Sequence, residues 1–372
     1  MRNRLANQYQ RGLSLIAQRG LSLIEVMVGM AVGLIGITVI TQVYLVNENF
    51  KRSTTSAGGA QVNGTLALYN LERDLRMAGA GVAHSGVFGC AQIRYAINGV
   101  YSPPVVSSAL PTMYMTPVTI IQTSGLPDSV NVLYASATDR VLPATLQQSQ
   151  TNFGTAMSVD SFYGFTSGDL LVVGQSNVCT LTQLTATPVT ATPTLAHDTA
   201  TGSIYNIAAG GSFTTYVTGA LVFNLGPAPV SRTYAISGGN LISSDVLAVA
   251  AGGTAQTLVN DIVDLRAQYG KDNGTDNSTV SHASFTADDG VIDSYDNTTP
   301  TTAAAWQQVL AVRLAVLARS SNYVKPDPGQ SCAASPATMA WSGGTFTIPD
   351  RCYNYRVFET VVPLRNMIWR SS

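Results

Sequence analysis

The sequence predicts an α+β protein: a long N-terminal helix, transmembrane and then amphipathic, packed on a β-rich, mostly antiparallel globular head. Three observations predict it. Leu21 to Val46 is an unbroken apolar run of 26 residues. Gln61 to Ala78 repeats Leu68, Leu71, Leu75 and Ala78 at helical spacing. From residue 82 onward, short runs rich in Val, Ile, Thr and Tyr alternate with Gly, Pro, Asn, Asp and Ser.

Composition sets the outer bounds. With 372 residues and 45% apolar content the chain can bury a sizeable core as one large domain or two ordinary ones. Charged residues make up only 11%, against roughly 25% in typical soluble domains. A net charge of -1 argues against a nucleic-acid surface built on bulk positive charge, and no nucleic-acid partner is expected for this chain. Four cysteines are too few for a scaffold held mainly by disulfides.

Residues 1–20 carry Arg2, Arg4, Arg11 and Arg19 and no acid, and the remainder has a net charge of -5. Within Leu21–Val46 the sole charge is Glu25. As a helix this run spans ~39 Å, enough to cross a ~30 Å hydrocarbon core with tilt. Basic residues before it and Glu48 after it favour an N-in, C-out orientation, so residues beyond 50 are expected in the periplasm or outside the cell. An ordinary secretory signal fits poorly, because its apolar region is about 7–15 residues and ends at a small-residue cleavage site. An uncleaved anchor and a leader cut on its cytoplasmic side both remain. A carboxylate inside an apolar helix costs about 2.5–3.5 kcal/mol at the bilayer centre and less near an end. Glu25 therefore calls for a partner. Gly29 and Gly33 form a GxxxG pair, with Gly36 nearby, which lets helix backbones approach closely in lipid. Simple tolerance of glycine explains them equally well.

Beyond the membrane run, Gly58-Gly59 is expected to mark a bend. In the amphipathic segment Glu72, Arg73, Asp74 and Arg76 are expected on faces other than the apolar stripe, and Gly79 and Gly81 supply the stop. Strands are expected at Val130–Tyr134, Asp169–Val173 and Tyr234–Ile236, the last followed by a hairpin turn at Gly238-Gly239-Asn240. Val309–Ala318 alternates, with Leu310, Val312, Leu314 and Val316 on one face and Arg313 on the other, which predicts a strand with one buried face. Thr180–Thr201 and Gly274–Thr302 are polar and are expected to be long loops. The expected boundaries are a leader at 1–20, a transmembrane and assembly helix at 21–46, its amphipathic continuation at 47–80, and a head at 81–372.

The cysteines fit an oxidising compartment. Proximity favours a Cys332–Cys352 pair, leaving Cys90–Cys179, although four cysteines allow three connectivities. Zinc is disfavoured, since no CxxC occurs and His84, His197 and His282 lack ligand spacing; no metal and no cofactor is expected. Nucleophile elbow, P-loop, HExxH and dinucleotide fingerprints are all absent. His197-Asp198 reads as polar surface rather than part of a triad. Asp288, Asp289 and Asp293 around Gly290 read as a solvated turn rather than a calcium loop. No enzyme activity is expected.

Gln18-Arg19-Gly20-Leu21-Ser22-Leu23-Ile24-Glu25 resembles the type III signal of prepilins, in which a basic leader ends in Gly. The resemblance implies cleavage between Gly20 and Leu21 by prepilin peptidase, methylation of the new N-terminus at Leu21, and Glu25 as residue five. It also implies that Glu25 pairs with the N-terminal amine of a neighbouring subunit. RGLSLI occurs at 11–16 and again at 19–24, and only the second copy places a Glu at the right offset before a clean membrane run. Asn70–Gly79 followed by Gly89-Cys90, Leu258–Gly270 ending in Gln-Tyr-Gly, Val312-Arg313-Leu314 and Phe358–Asn366 resemble the PilW-type minor pilins of type IV pili. Membership implies a structural subunit at the inner membrane with a periplasmic head, passing into an extracellular pilus. The implied partners are other minor pilins, the major pilin, the inner-membrane assembly platform, a tip adhesin and, before assembly, inner-membrane lipid. A J-type pseudopilin of type II secretion shares part of these motifs. A membrane-tethered periplasmic enzyme or ligand-binding module is the reading of another class, and it predicts an intact N-terminus at Met1.

Overall fold

The computed structural model describes residues 22–368 apart from 85–89, 91–92, 99, 103–110, 141, 151–155, 177, 191–193, 199–202, 207–214, 251, 274–289, 325 and 327–328. Gly20, Leu21, Gly89, His282, Asp288 and Asp289 therefore lie outside the described residues. The chain divides into two compact units, Met1–Thr55 and Ser56–Ser372.

Helix α1 spans Leu23–Met77 and continues through Gly58 and Gly59. It stops at Gly79 and Gly81, whose φ angles of 81° and 71° are open to glycine and strained for other residues. The strands follow in chain order: β1 (Ile93–Ile97), β2 (Val100–Ser102), β3 (Val118–Ile121), β4 (Ser129–Tyr134), β5 (Ala144–Thr145), β6 (Met157–Ser158), β7 (Leu170–Gln175), β8 (Val178–Gln183), β9 (Thr194–Leu195), β10 (Leu221–Gly226), β11 (Val230–Ser237), β12 (Asn240–Asp245), β13 (Gln256–Val259), β14 (Ile262–Lys271), β15 (Ser294–Asp296), β16 (Val309–Arg319), β17 (Thr338–Trp341), β18 (Gly344–Thr347) and β19 (Tyr355–Pro363). Three short helices, α2 (Val246–Ala250), α3 (Ala303–Gln307) and α4 (Arg365–Ile368), interrupt them.

The strands form a six-stranded sheet in the order β2-β1-β8-β7-β10-β5, a five-stranded sheet β13-β12-β11-β4-β3 and a four-stranded sheet β15-β14-β16-β19. β17–β18 and β6–β9 are separate pairs. Pairing is antiparallel except between β1 and β8. Between β11 and β12 the expected turn forms, with Gly238 and Gly239 at φ 58° and 75°, as a two-residue I′ hairpin requires.

The helix and two of the sheets share one core. Ala60, Ala67, Leu71, Leu75 and Ala78 of α1 are buried with Val312, Leu314, Val316 and Val362 of the four-stranded sheet and Val118, Ile120, Val130, Val132 and Tyr234 of the five-stranded sheet. Each leucine so placed contributes about 1.5–3 kcal/mol. A second cluster lines the six-stranded sheet around Cys90, Tyr95, Cys179 and Phe223, and a third joins Leu146, Met157, Leu171, Leu195 and Tyr216.

Three expectations are corrected. β16 is buried on both faces, because Phe346 of hairpin β17–β18 and Ile348 just after it cover Ala315 and Leu317. The alternation of small Ala with larger Leu and Val hid that second face. Thr180–Gln183 belongs to strand β8, and Thr194–Leu195 to β9, so the segment from Thr180 to Thr201 is not one loop. Thr180 and Thr182 are buried there because Tyr216 and Asn206 satisfy their hydroxyls. Asp74 lies on the buried face of α1, at 2% exposure, rather than with the solvent-facing charges.

Candidate assembly helix and its seat in the head

The described part of the first unit is a single helix with no apolar partner. Ser22 O accepts hydrogen bonds from Glu25 N–H (2.9 Å) and Val26 N–H (3.1 Å), which opens the first turn. Glu25 sits in that turn, where the helix dipole favours negative charge. Leu23–Glu48 is the one stretch, among the described residues, long and apolar enough to cross a membrane. Leu23, Ile24, Met30 and Ile40 each expose about two-thirds or more of their surface. A helix apolar on every side and bare on every side is stable only in lipid or among other helices. Thr38 and Thr41 turn their hydroxyls back to the Ile35 and Ile37 carbonyls (2.8 and 2.7 Å), hiding both polar groups within the helix.

At about 100° per residue, Glu25, Gly29, Gly33 and Gly36 fall within one narrow stripe of that surface. Nothing lies within 4 Å of where a Cβ would sit on any of the three glycines. The stripe is thus a smooth groove headed by a carboxylate, a surface on which a second helix could lie close.

The second unit holds the C-terminal end of α1 by polar as well as apolar contacts. Asp74 Oδ2 accepts from Arg232 Nη1 (2.6 Å) and from Tyr234 Oη (2.7 Å), both on β11. Its other oxygen accepts from Arg73 Nε at 3.3 Å. Burial, then the carboxylate itself, holds the Tyr234 phenol well above its ordinary range. At the helix end Asn366 Nδ2 donates to the Met77 and Ala78 carbonyls (3.2 and 3.0 Å), and Gly79 N–H donates to Leu133 O (2.9 Å). Both contacts satisfy groups that the last turn leaves open. Gly64 makes room for the sheet: a Cβ there would stand 2.2 Å from the Phe358 ring of β19.

The Gln-Tyr-Gly segment has an explanation in the same core. Tyr269 is fully buried against Trp306, edge to face at 5.7 Å, and its hydroxyl accepts from Ile120 N–H at 2.7 Å. Burial pushes its phenol up to about 12. Gly270 leaves room for Tyr295, which would stand 2.9 Å from an added Cβ. Arg313 lies over the Tyr295 ring at 3.6 Å and donates to Ser342 O at 3.4 Å. Across the joint, Asp128 accepts from Ala267 N–H (3.0 Å) and sits 3.6 Å from Arg266. Burial raises the Asp128 carboxyl despite both partners.

Cys90–Cys179 and Cys332–Cys352 are disulfides, with Cα separations of 5.8 and 4.7 Å. The first is buried at the base of the six-stranded sheet, and the second clasps the loop that carries β17–β18. Cys332, Asp350 and Cys352 are grouped closely enough to hold a metal, but both sulfurs are spent in the bridge and offer no thiolate. His197 is buried, His84 packs edge-on against Phe223, and Asp293 accepts from Asn273 N–H.

Sequence reasoning missed Asp74, Asn366 and Asp128. A signal existed for Asp74, since it falls within about 60° of Leu71 on a helical projection. Asn366 and Asp128 act across long sequence separations and left no local trace.

Residues 234–366 match the family model described as Type IV Pilus-assembly protein W, and residues 15–41 match the Prokaryotic N-terminal methylation motif. No curated protein and no solved structure matches the chain. The first match spans Tyr234, the Gln-Tyr-Gly strand, β16, β19 and Asn366, and the second spans Gly20, Leu21, Glu25, Gly29 and Gly33. Residues 234–366 are thus similar to a PilW-type domain and residues 15–41 to a prepilin methylation motif, two matches that together support a type IV pilus-related pilin.

Proposed function

We propose that this chain is a structural, non-enzymatic minor pilin. Prepilin peptidase removes residues 1–20 at the Gly20–Leu21 bond, and Leu21 becomes the methylated N-terminus. The chain waits as a single-pass inner-membrane protein with a periplasmic head. It then joins other minor pilins in a tip complex that primes the fibre at the assembly platform, with the major pilin and a tip adhesin as further partners. The observation that carries this reading is a bare apolar helix whose sole charge from Leu23 to Val46, Glu25, stands in the first turn and within the matched methylation motif.

The physics of transfer follows from that helix. In lipid its apolar surface is satisfied, while Glu25 is costly unless it stays near the interface. In a bundle of like helices the glycine stripe permits close packing, and the amine of one subunit neutralises Glu25 of the next. Pairing two charges in a dry site sets the axial register, because any slip strands both.

Intact-mass and N-terminal analysis of the chain from cells tests this. The expected result is a start at Leu21 with one added methyl group. Gly20→Ala should leave the leader attached. Glu25→Ala should be processed but missing from sheared filaments. A mature start at Met1, or after residue 46, overturns the proposal. Deletion should remove surface pili and leave enzyme secretion intact, which separates this role from that of a pseudopilin.

A further inference from the structure

We propose that the outer edge of β19 is a docking site for a β-strand from a different polypeptide, one that presents a basic residue between two apolar ones. The inference rests on the sheet alone and does not require processing at Gly20.

Hydrogen-bond parity identifies the groups on offer. In an antiparallel sheet the backbone groups of alternate residues point to alternate sides. The Ala267 N–H on β14 points away from β16, to Asp128. Its partner Leu314 therefore turns toward β19 and bonds Thr360. Arg356, Phe358, Thr360 and Val362 then face β16, and Val357, Glu359 and Val361 turn their N–H and C=O groups outward. Tyr355 agrees, since its N–H bonds outward to Ser335 Oγ at 3.1 Å. Pro363 agrees as well: it sits at the outward parity, where a missing N–H costs the sheet nothing. No hydrogen bond joins the outward groups of Val357, Glu359 or Val361 to any described residue.

Two other strands with an open side, β14 before β15 and β3, are blunted. Asp128 caps β14 by donating its N–H to Leu265 O (2.9 Å) and accepting from Ala267. Tyr269 accepts from Ile120 on β3, and Thr299 Oγ1 donates to the Ile120 carbonyl at 3.4 Å. β19 instead pairs with β16 through nine residues without a bulge, and among the described residues its outer side stays open from Val357 to Val361. A long, regular, uncapped edge is a template for strand addition.

The side chains beside that edge define the partner. Val357, Glu359 and Val361 lie on the face that hairpin β17–β18 meets: Val357 packs against its apolar cluster, and Glu359, exposed like Val361, accepts from Ser342 N–H (2.9 Å) and Oγ (2.8 Å), a neutral partner. A strand laid against them meets an apolar, an acidic and an apolar neighbour in turn, and opposite charges across strands are favourable. A second copy of this chain fits poorly. The two-fold register that uses all three residues sets Glu359 against itself. A shift one way pairs Tyr355, whose N–H Ser335 already holds, and a shift the other way pairs Pro363, which has none.

The test places the photo-crosslinker p-benzoylphenylalanine at Val361 of the full-length chain in its native cells. The expected cross-link, mapped by mass spectrometry, falls on an extended segment of another protein with Lys or Arg between two apolar residues. Glu359→Lys should lower its yield about fivefold, the loss expected for one net interaction of this kind. Reversing the partner's basic residue to Glu should restore it. Val357→Pro, which removes an outward N–H together with the packing of the valine side chain on hairpin β17–β18, should lower the yield further than Val357→Ala, which removes the packing alone. Cross-links confined to this chain, to a second copy of it or to a helical segment overturn the proposal. So does a yield that neither variant changes.

Discussion

Asp74 shows at the scale of one residue how a charge can sit in a core. Arg232 and Tyr234 arrive from β11 to meet it, so the carboxylate ties α1 to a strand some 160 residues away in sequence. Asp74→Asn should destabilise the head by about 3 kcal/mol, because Arg232 loses its counter-charge while partly buried. The shift is readable as a lower urea midpoint of the detergent-solubilised chain. The buried tyrosines set an alkaline limit. Tyr216 and Tyr269 are pushed up from 10.0 to about 12 by burial. The folded state keeps those protons while the unfolded chain releases them. Stability is therefore full below pH 10 and falls as pH rises toward 12, on the order of 1.4 kcal/mol per unit for each phenol. Parallel titrations of phenolate absorbance and unfolding check this, and Tyr269→Phe should flatten the slope. Glu25 was legible in sequence because charge in an apolar run is conspicuous. Asp74 was not, because the residues that make it tolerable come from another part of the chain.

At the scale of elements, periodicity did well where one face meets solvent. The Leu71–Leu75–Ala78 stripe, the β11–β12 hairpin and the glycine stop after α1 all follow from local patterns. It failed where an element is covered twice. Arg313 on β16 suggested a wet face, yet that face lies under hairpin β17–β18, and the arginine is housed by the Tyr295 ring and Ser342 O. Strand β8 read as loop because its threonines are satisfied internally by Tyr216 and Asn206. Where α1 crosses β19, Gly64 admits the Phe358 ring. Gly64→Leu should cost about 1–3 kcal/mol through overpacking, despite leucine's better helix propensity. Pairing it with Phe358→Ala should recover part of that loss, which thermal melts of the single and double variants would reveal.

At the scale of the whole molecule, the regions matched to known families and the regions that hold the helix largely coincide. Residues 234–366 supply most of the strands around α1, joined by β3 and β4, while the strands from β5 to β10 contribute mainly to two further apolar clusters. The likeness seen in sequence covers both ends and punctuates the middle at Leu258–Gly270, and residues 100–240 were legible only as β-rich. The helix has a corresponding division: its contribution to the central core starts at Ala60 and ends at Ala78. A recombinant fragment beginning at Ser56 would therefore keep every keel residue and dispense with detergent. One beginning after Gly79 would remove a wall of its own interior and should precipitate.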